Sequence, residues 1–167
     1  MSEADYRILI VDDDSAQAEM MSEFLRISGF KHIERTDTIH GFWRLFNQRE
    51  YDIILLDYRL PDGTGLDVLD QMAKQKRQVP IIMVTGQGNE RIAAQAILRG
   101  ASDYLLKSGD YLVTLPTLIN KSIQAHRLKL SIQKSFDQIR YQALLLNNVR
   151  DAIVVWDLTG KITYWNP

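Results

Sequence analysis

The chain has 167 residues, with 20 Lys and Arg against 21 Asp and Glu, and a formal net charge of −1. Its hydrophobic fraction of 46% can fill one sizeable core, which excludes wholesale disorder, and the lack of cysteine excludes disulfide frameworks, thiolate zinc sites and cysteine nucleophiles. No apolar run approaches the ~20 residues of a membrane span, and MSEADYR is not a signal peptide, so a soluble cytoplasmic protein with no membrane contact is expected.

The elements alternate. Arg7–Val11 is a short apolar run of the kind found in buried parallel strands. Residues 15–28 follow as a helix, with Met20, Phe24 and Ile27 at helical spacing and Gly29 at its C-terminal end. His32–Thr36 is a weaker strand, and residues 38–49 read as a helix through Ile39, Phe42, Trp43 and Phe46. Asp52–Leu56 is the clearest buried strand. The turn Pro-Asp-Gly-Thr-Gly at 61–65 leads into a helix with Leu66, Leu69 and Met72 inward. Pro80–Val84 is the fourth strand, 89–99 a helix ended by Gly100, and Ser102–Leu106 the fifth strand. Helical patterning resumes near Thr114, with Pro116 in the first turn.

Five strands alternating with helices predict an α/β fold with a parallel sheet covered on both faces. Ligands of such sheets sit at the carboxyl ends of the strands. Asp12, Asp13 and Asp14 follow strand one, Asp57 follows strand three, Thr85 strand four and Lys107 strand five. Singly, these read as helix caps, turn residues or solvated side chains, and Asp14 is expected to cap the first helix. Jointly they gather carboxylates, a hydroxyl and an ammonium at one rim. Clustered carboxylates repel unless a cation lies among them. Hard oxygen ligands suit Mg²⁺ together with phosphate oxygens, and one carboxylate can then act as a nucleophile toward phosphorus.

The motifs ILIVDDD (8–14), DIILLDYRLPDGTGLDVL (52–69), PIIMVTG (80–86) and GASDYLLK (100–107) resemble the receiver domain of two-component response regulators over about residues 5–126. The resemblance implies a flavodoxin-like (βα)5 sheet in the order 2-1-3-4-5. It implies that Asp57 accepts a phosphoryl group from a histidine kinase or phosphotransfer protein. It further implies that Asp13, Asp57 and the backbone carbonyl of Arg59 hold Mg²⁺, with Asp12 acting through water. Thr85 matches the switch hydroxyl, Tyr104 the aromatic switch and Lys107 the site lysine. Arg59 and Gln87 occupy the positions that tune dephosphorylation. One departure is that Ser108, not proline, follows Lys107; a cis bond there would cost ~3–4 kcal/mol, so a trans bond is expected.

Residues 114–146 read as one long helix spanning roughly 50 Å at ~1.5 Å per residue. A three–four seam runs Leu118, Ser122, Ala125, Lys129, Ile132, Phe136, Ile139, Ala143, Leu146, and is apolar from Ile132 onward. A parallel homodimer through this stripe is expected. The net charge is split: −5 over 1–111, +5 over 112–150 and −1 over 151–167. The basic stretch reads as a solvated coiled-coil exterior without direct DNA binding, and His126 as a solvated helix histidine. Residues 151–156 and 161–165 predict a β-hairpin. The stretch from Leu144 to Pro167 resembles the opening of a PAS domain, which would make the chain a truncated piece of a longer signalling protein: receiver 1–126, linker helix 114–146, PAS start 147–167.

Two rival functions are weighed. Haloacid-dehalogenase-type phosphatases carry DxDx[TV] after strand one, and Asp12-Asp13-Asp14-Ser15-Ala16 fits its first part but has Ala16 at the last position and leaves Asp57 without a role. The other rival is a degenerate receiver that serves only as a dimer scaffold.

Overall fold

The computed structural model describes residues 5–75, 78–86, 90–147 and 154–165. Its backbone falls into two compact units, Met1–His126 and Arg127–Pro167. The first unit holds strands β1 (Arg7–Val11), β2 (His32–Thr36), β3 (Ile53–Leu56), β4 (Arg59–Leu60), β5 (Gly63–Thr64), β6 (Ile81–Thr85) and β7 (Asp103–Leu106). Between them run helices α1 (Ser15–Ile27), α2 (Ile39–Gln48), α3 (Gly65–Met72) and α4 (Glu90–Leu98). The final helix, α5 (Tyr111–Asn147), begins in the first unit and ends in the second.

Five strands form one parallel sheet in the order β2-β1-β3-β6-β7. With the two-residue pair β4–β5 set apart as a small antiparallel hairpin, this is the 2-1-3-4-5 order expected from the sequence. The direction of winding reverses beside β1, which creates the crevice at the carboxyl rim. Alternate strand residues point to opposite faces. Leu9 and Val11 therefore join Phe42 and Leu69 of α2 and α3 on one side, while Ile8 and Ile10 join Met21 and Leu115 of α1 and α5 on the other.

Local chemistry sets the helix starts. The Asp14 carboxylate accepts the N–H groups of Ala16 (3.0 Å) and Gln17 (3.1 Å), so it caps α1 as expected. Thr64 caps α3, and the Asp67 carboxylate reaches back to the Thr64 N–H at 2.9 Å, a reciprocal capping box.

Four expectations are corrected. The α1 face turned to the sheet carries Ala18, Met21, Ser22 and Leu25, while Met20 and Ile27 are exposed. Both stripes have helical spacing, and the seating of the helix on the sheet selects between them. Helix α5 starts at Tyr111, three residues before Thr114, so Pro116 lies in the second turn and removes one N–H from the ladder. The buried stripe of its first part is Tyr111, Leu115, Ile119 and Ile123, beside Ser122; Leu118 is only partly buried and Ala125 is exposed. His126 is half-buried, and its Nε2–H donates to the Gln78 carbonyl at 3.1 Å, rather than being merely solvated.

In the second unit the described part of α5 is exposed throughout, including Lys129, Ile132, Phe136, Ile139 and Ala143. The side chain of Leu146 lies outside the described residues. Strands β8 (Val154–Trp156) and β9 (Ile162–Trp165) pair antiparallel with a bulge, and Asp157 organises the connecting turn by accepting the Thr159 and Lys161 N–H groups at 2.9 and 3.1 Å. The segment 151–153, expected as strand, lies outside the described residues.

Candidate functional site

The ladders that build the sheet also deliver the site residues. Just past the strand ends, the N–H of Asp12 donates to Thr36 O at 3.0 Å, that of Asp57 to Val11 O at 2.8 Å, and that of Lys107 to Thr85 O at 2.9 Å. Each backbone is thus held by the neighbouring strand, so the three side chains converge from three separate chain segments. The Lys107–Ser108 bond is trans, like every peptide bond among the described residues.

Lys107 Nζ lies 2.6 Å from Asp12 Oδ2 and 3.6 Å from Asp57 Oδ1, and its side chain is 4% exposed. Carboxylate oxygens of Asp12, Asp13 and Asp57 all lie within 4.8 Å of one another. Asp12 and Asp57 are buried and Asp13 is exposed. Burial pushes the Asp12 carboxyl above the usual carboxylate range; the Lys107 hydrogen bond and charge pull against this, and the Asp57 charge adds to it. Asp57 Oδ1 is buried and has no hydrogen-bond partner. Three carboxyl groups here share one lysine, and hard oxygen donors in this number fit a small divalent cation. The composition therefore matches Mg²⁺.

The remaining candidates surround this cluster. Thr85 ends β6 and is 1% exposed. Tyr104 pairs with Met83 across β6–β7, and its hydroxyl is buried without a hydrogen-bond partner. Burial raises its phenol above the usual range, and the Asp57 charge raises it further. Arg59 lies on the β4–β5 hairpin with its side chain exposed and its backbone paired to Thr64. Gln87 lies outside the described residues. Gly65 is required by space: a Cβ there would stand 2.5 Å from the Asp57 carbonyl oxygen. Asp12 also lines an open cleft of about 600 Å³ with Ser15, Ala16, Glu19, Arg35 and Arg44.

Two residues escaped the sequence reading. The Tyr111 hydroxyl is buried and unpartnered; burial raises its phenol, and the charges of Asp12 and Asp14 raise it further. Asp110, a residue type that favours helix starts, was the signal for an earlier start to α5. Asp62 lay within the turn at 61–65, but its partners on α2 are more than twenty residues away in sequence, and no local pattern announces them.

A flavodoxin-like sheet with an acidic, lysine-bearing rim defines a receiver-type class of signalling domain. The chain belongs to the response regulator receiver domain family, whose model matches residues 8–114. It is 30% identical over 143 residues to the phosphate regulon transcriptional regulatory protein PhoB of Shigella flexneri, an alignment covering 84% of this chain and 60% of that protein. The response regulator receiver domain protein of Clostridium thermocellum matches with a TM-score of 0.67 and 26% identity, over 74% of this chain and 98% of that one. The beryllofluoride-activated NtrC4 receiver domain dimer matches with a TM-score of 0.61 and 26% identity, over 70% and 98%. The chain spans about half the length of the curated relatives it matches. Among the described residues no helix is long and apolar enough to cross a membrane.

Proposed function

We propose that Asp57 accepts a phosphoryl group from the phosphohistidine of a sensor histidine kinase or phosphotransfer protein, and that the resulting change of state is passed to an output through α5. The observation that carries this reading is the buried Asp57 oxygen without a hydrogen-bond partner, 3.6 Å from Lys107. An Asp57 carboxylate oxygen attacks phosphorus, the P–N bond breaks, and its electron pair leaves with the imidazole. Mg²⁺, when bound, supplies charge neutralisation for the phosphoryl oxygens. Asp13, Asp57 and the Arg59 carbonyl are the ligands assigned to it, with Asp12 acting through water. Lys107 binds a second phosphoryl oxygen, and Thr85 donates to a third.

Tyr104 follows Thr85 inward. The phosphoryl group shifts the equilibrium only by its differential contacts with the two states. Arg59 and Gln87 set the rate of autodephosphorylation. The exposed apolar residues Ile132, Phe136 and Ile139, continued by Ala143 and Leu146, form a seam for a parallel homodimer. Residues 147–167 are read as PAS-like by their sequence. The signalling module does not itself bind DNA, although curated relatives carry the name of transcriptional regulators.

A dehalogenase-type phosphatase would use Asp12 as nucleophile, but the chain has Ala16 where that motif needs Thr or Val, and Asp57 would be left without a role. Asp12 is held by Lys107, which also weighs against that reading. The deciding experiment incubates the full chain with a phosphodonor and Mg²⁺ and locates the label by mass spectrometry. Label on Asp57, lost in Asp57→Asn, is expected. Label elsewhere, or turnover of phosphate esters without stable label, sinks the assignment. Failure to bind Mg²⁺ with beryllium fluoride would favour the scaffold.

A further inference from the structure

Asp62 stands at the turn of the β4–β5 hairpin, yet its carboxylate serves a different element. Its Oδ1 accepts the Ile39 N–H at 2.8 Å and its Oδ2 the His40 N–H at 2.9 Å. These are the first two residues of α2, whose opening N–H groups have no partners within the helix. The local cap, Thr38, accepts only from Gly41, at 3.1 Å. The start of α2 is therefore capped jointly, by Thr38 from its own segment and by Asp62 from the hairpin. The helix dipole favours a negative charge there.

The contact reaches the backbone as well. A Cβ on Gly63 would come within 2.8 Å of Ile39 Cδ1, so the hairpin lies directly against the first residue of α2. From Asp62 the constraint runs along the hairpin: Leu60 pairs with Gly63, Arg59 with Thr64, and the Gly65 N–H donates to Tyr58 O at 2.8 Å. On the other side α2 follows β2, whose last residue, Thr36, accepts the Asp12 N–H. Asp62 thus closes a ring of chain that passes from Asp57 through the hairpin and α2 back to Asp12.

We propose that Asp62 is a positioning residue for the metal site, holding the β4–β5 hairpin on α2 so that the Arg59 carbonyl is fixed before the cation arrives. This rests on the reading of Arg59 O as a Mg²⁺ ligand. The chemical reason is the rigidity of the ion. Mg²⁺ demands near-octahedral geometry at short distances, and a carbonyl on a loose two-residue strand must be ordered during binding. Ordering a group beforehand removes that cost. Asp62 touches neither the cation nor the phosphoryl group, so its effect is on affinity through geometry.

The test is calorimetric titration of the full chain with Mg²⁺ alone. Asp62→Ala is expected to weaken binding by about 10-fold, the lower end of losses seen when outer-sphere partners are removed. Asp62→Asn keeps the side-chain shape and one acceptor, and is expected to fall between Asp62→Ala and wild type; it also serves if the alanine variant fails to fold. Thr38→Ala removes the other half of the α2 cap without releasing the hairpin, and is expected to stay within about twofold of wild type. Wild-type affinity in both Asp62 variants overturns the proposal, as does an equal loss in Thr38→Ala, which would show that a frayed α2 alone is responsible. No Mg²⁺ binding by the wild-type chain is a different outcome, since it removes the metal reading itself and the inference with it. As a second readout, Mg²⁺ should slow hydrogen exchange at the Ile39 and His40 amides in wild type but not in Asp62→Ala, since coupling between two sites is reciprocal.

Discussion

The ammonium of Lys107 is bonded to Asp12 at 2.6 Å and stands 3.6 Å from Asp57. The lysine therefore gives its hydrogen bond to Asp12, and leaves Asp57, the proposed acceptor, with an oxygen lacking one. Replacing Lys107 by Met should strand two buried carboxylates. Removing one partner of a buried ion pair costs about 3–5 kcal/mol, reduced here to the extent that Asp12 takes up a proton. Urea denaturation without divalent ions should show the loss, and Mg²⁺ should stabilise Lys107→Met more than wild type. Equal stability of the two proteins would mean the pair does not hold the site.

Gly65, the first residue of α3, leaves no room for a side chain beside the Asp57 backbone. Adding a methyl places Cβ 2.5 Å from the Asp57 carbonyl oxygen, 3.1 Å from Met83 Cε and 3.3 Å from Leu56 Cγ. Backbone on one side and core on the other leave no direction for relief. Gly65→Ala should destabilise by about 1–3 kcal/mol, the usual range for overpacking, and should slow labelling of Asp57. Denaturant midpoints and labelling rates check both parts.

The capping box of α3 makes stability depend on pH in a known direction. The Thr64 hydroxyl and the Thr64 N–H hold the Asp67 carboxyl below the usual carboxylate range, against a smaller opposing effect of burial. The folded state therefore binds this proton less tightly than the unfolded chain. The stabilisation is complete above the unfolded value of about 3.9 and disappears as pH falls through the lower folded value. Asp67→Asn should cost about 1 kcal/mol or less at neutral pH, with the gap to wild type closing in acid. A gap that stays constant down to about pH 2 would show that the charge plays no part.

The seam on α5 makes a prediction about assembly. Phe136 is 65% exposed and Ile139 62% exposed, more than large apolar side chains favour in water. On the dimer reading, Phe136→Lys places like charges opposite each other and should convert a dimer into a monomer in analytical ultracentrifugation. The structure of the first unit should be unaffected. A wild-type chain that sediments as a monomer at every concentration would refute the seam.

Much of the fold was legible because its determinants are local. The runs Arg7–Val11 and Pro80–Val84 have few polar atoms to satisfy and read as buried strands without any partner being known. Asp14 announces the start of α1 because the N–H groups it bonds lie two and three residues ahead. The recurrence of Asp, Thr and Lys after successive apolar runs likewise placed those side chains at one rim, since parallel strands share one direction.

Other features depended on which surface each segment meets. In α1, Met20–Phe24–Ile27 and Met21–Leu25 satisfy the same helical period, and only docking on Ile8 and Ile10 selects the second. The start of α5 at Tyr111 adds a buried ring to the same layer. The order of preference of Lys107 for Asp12 over Asp57 is a matter of about an ångström, set by three strands whose spacing no single segment encodes. Asp62, more than twenty residues from its partners, has no local signature at all. The sequence by itself determined which chemistry arrives at the rim, because residue type and strand direction are properties of short segments. Tertiary structure decided which charges pair and which stay open, because Coulomb energies and hydrogen bonds depend on distances between segments that meet only in the folded chain.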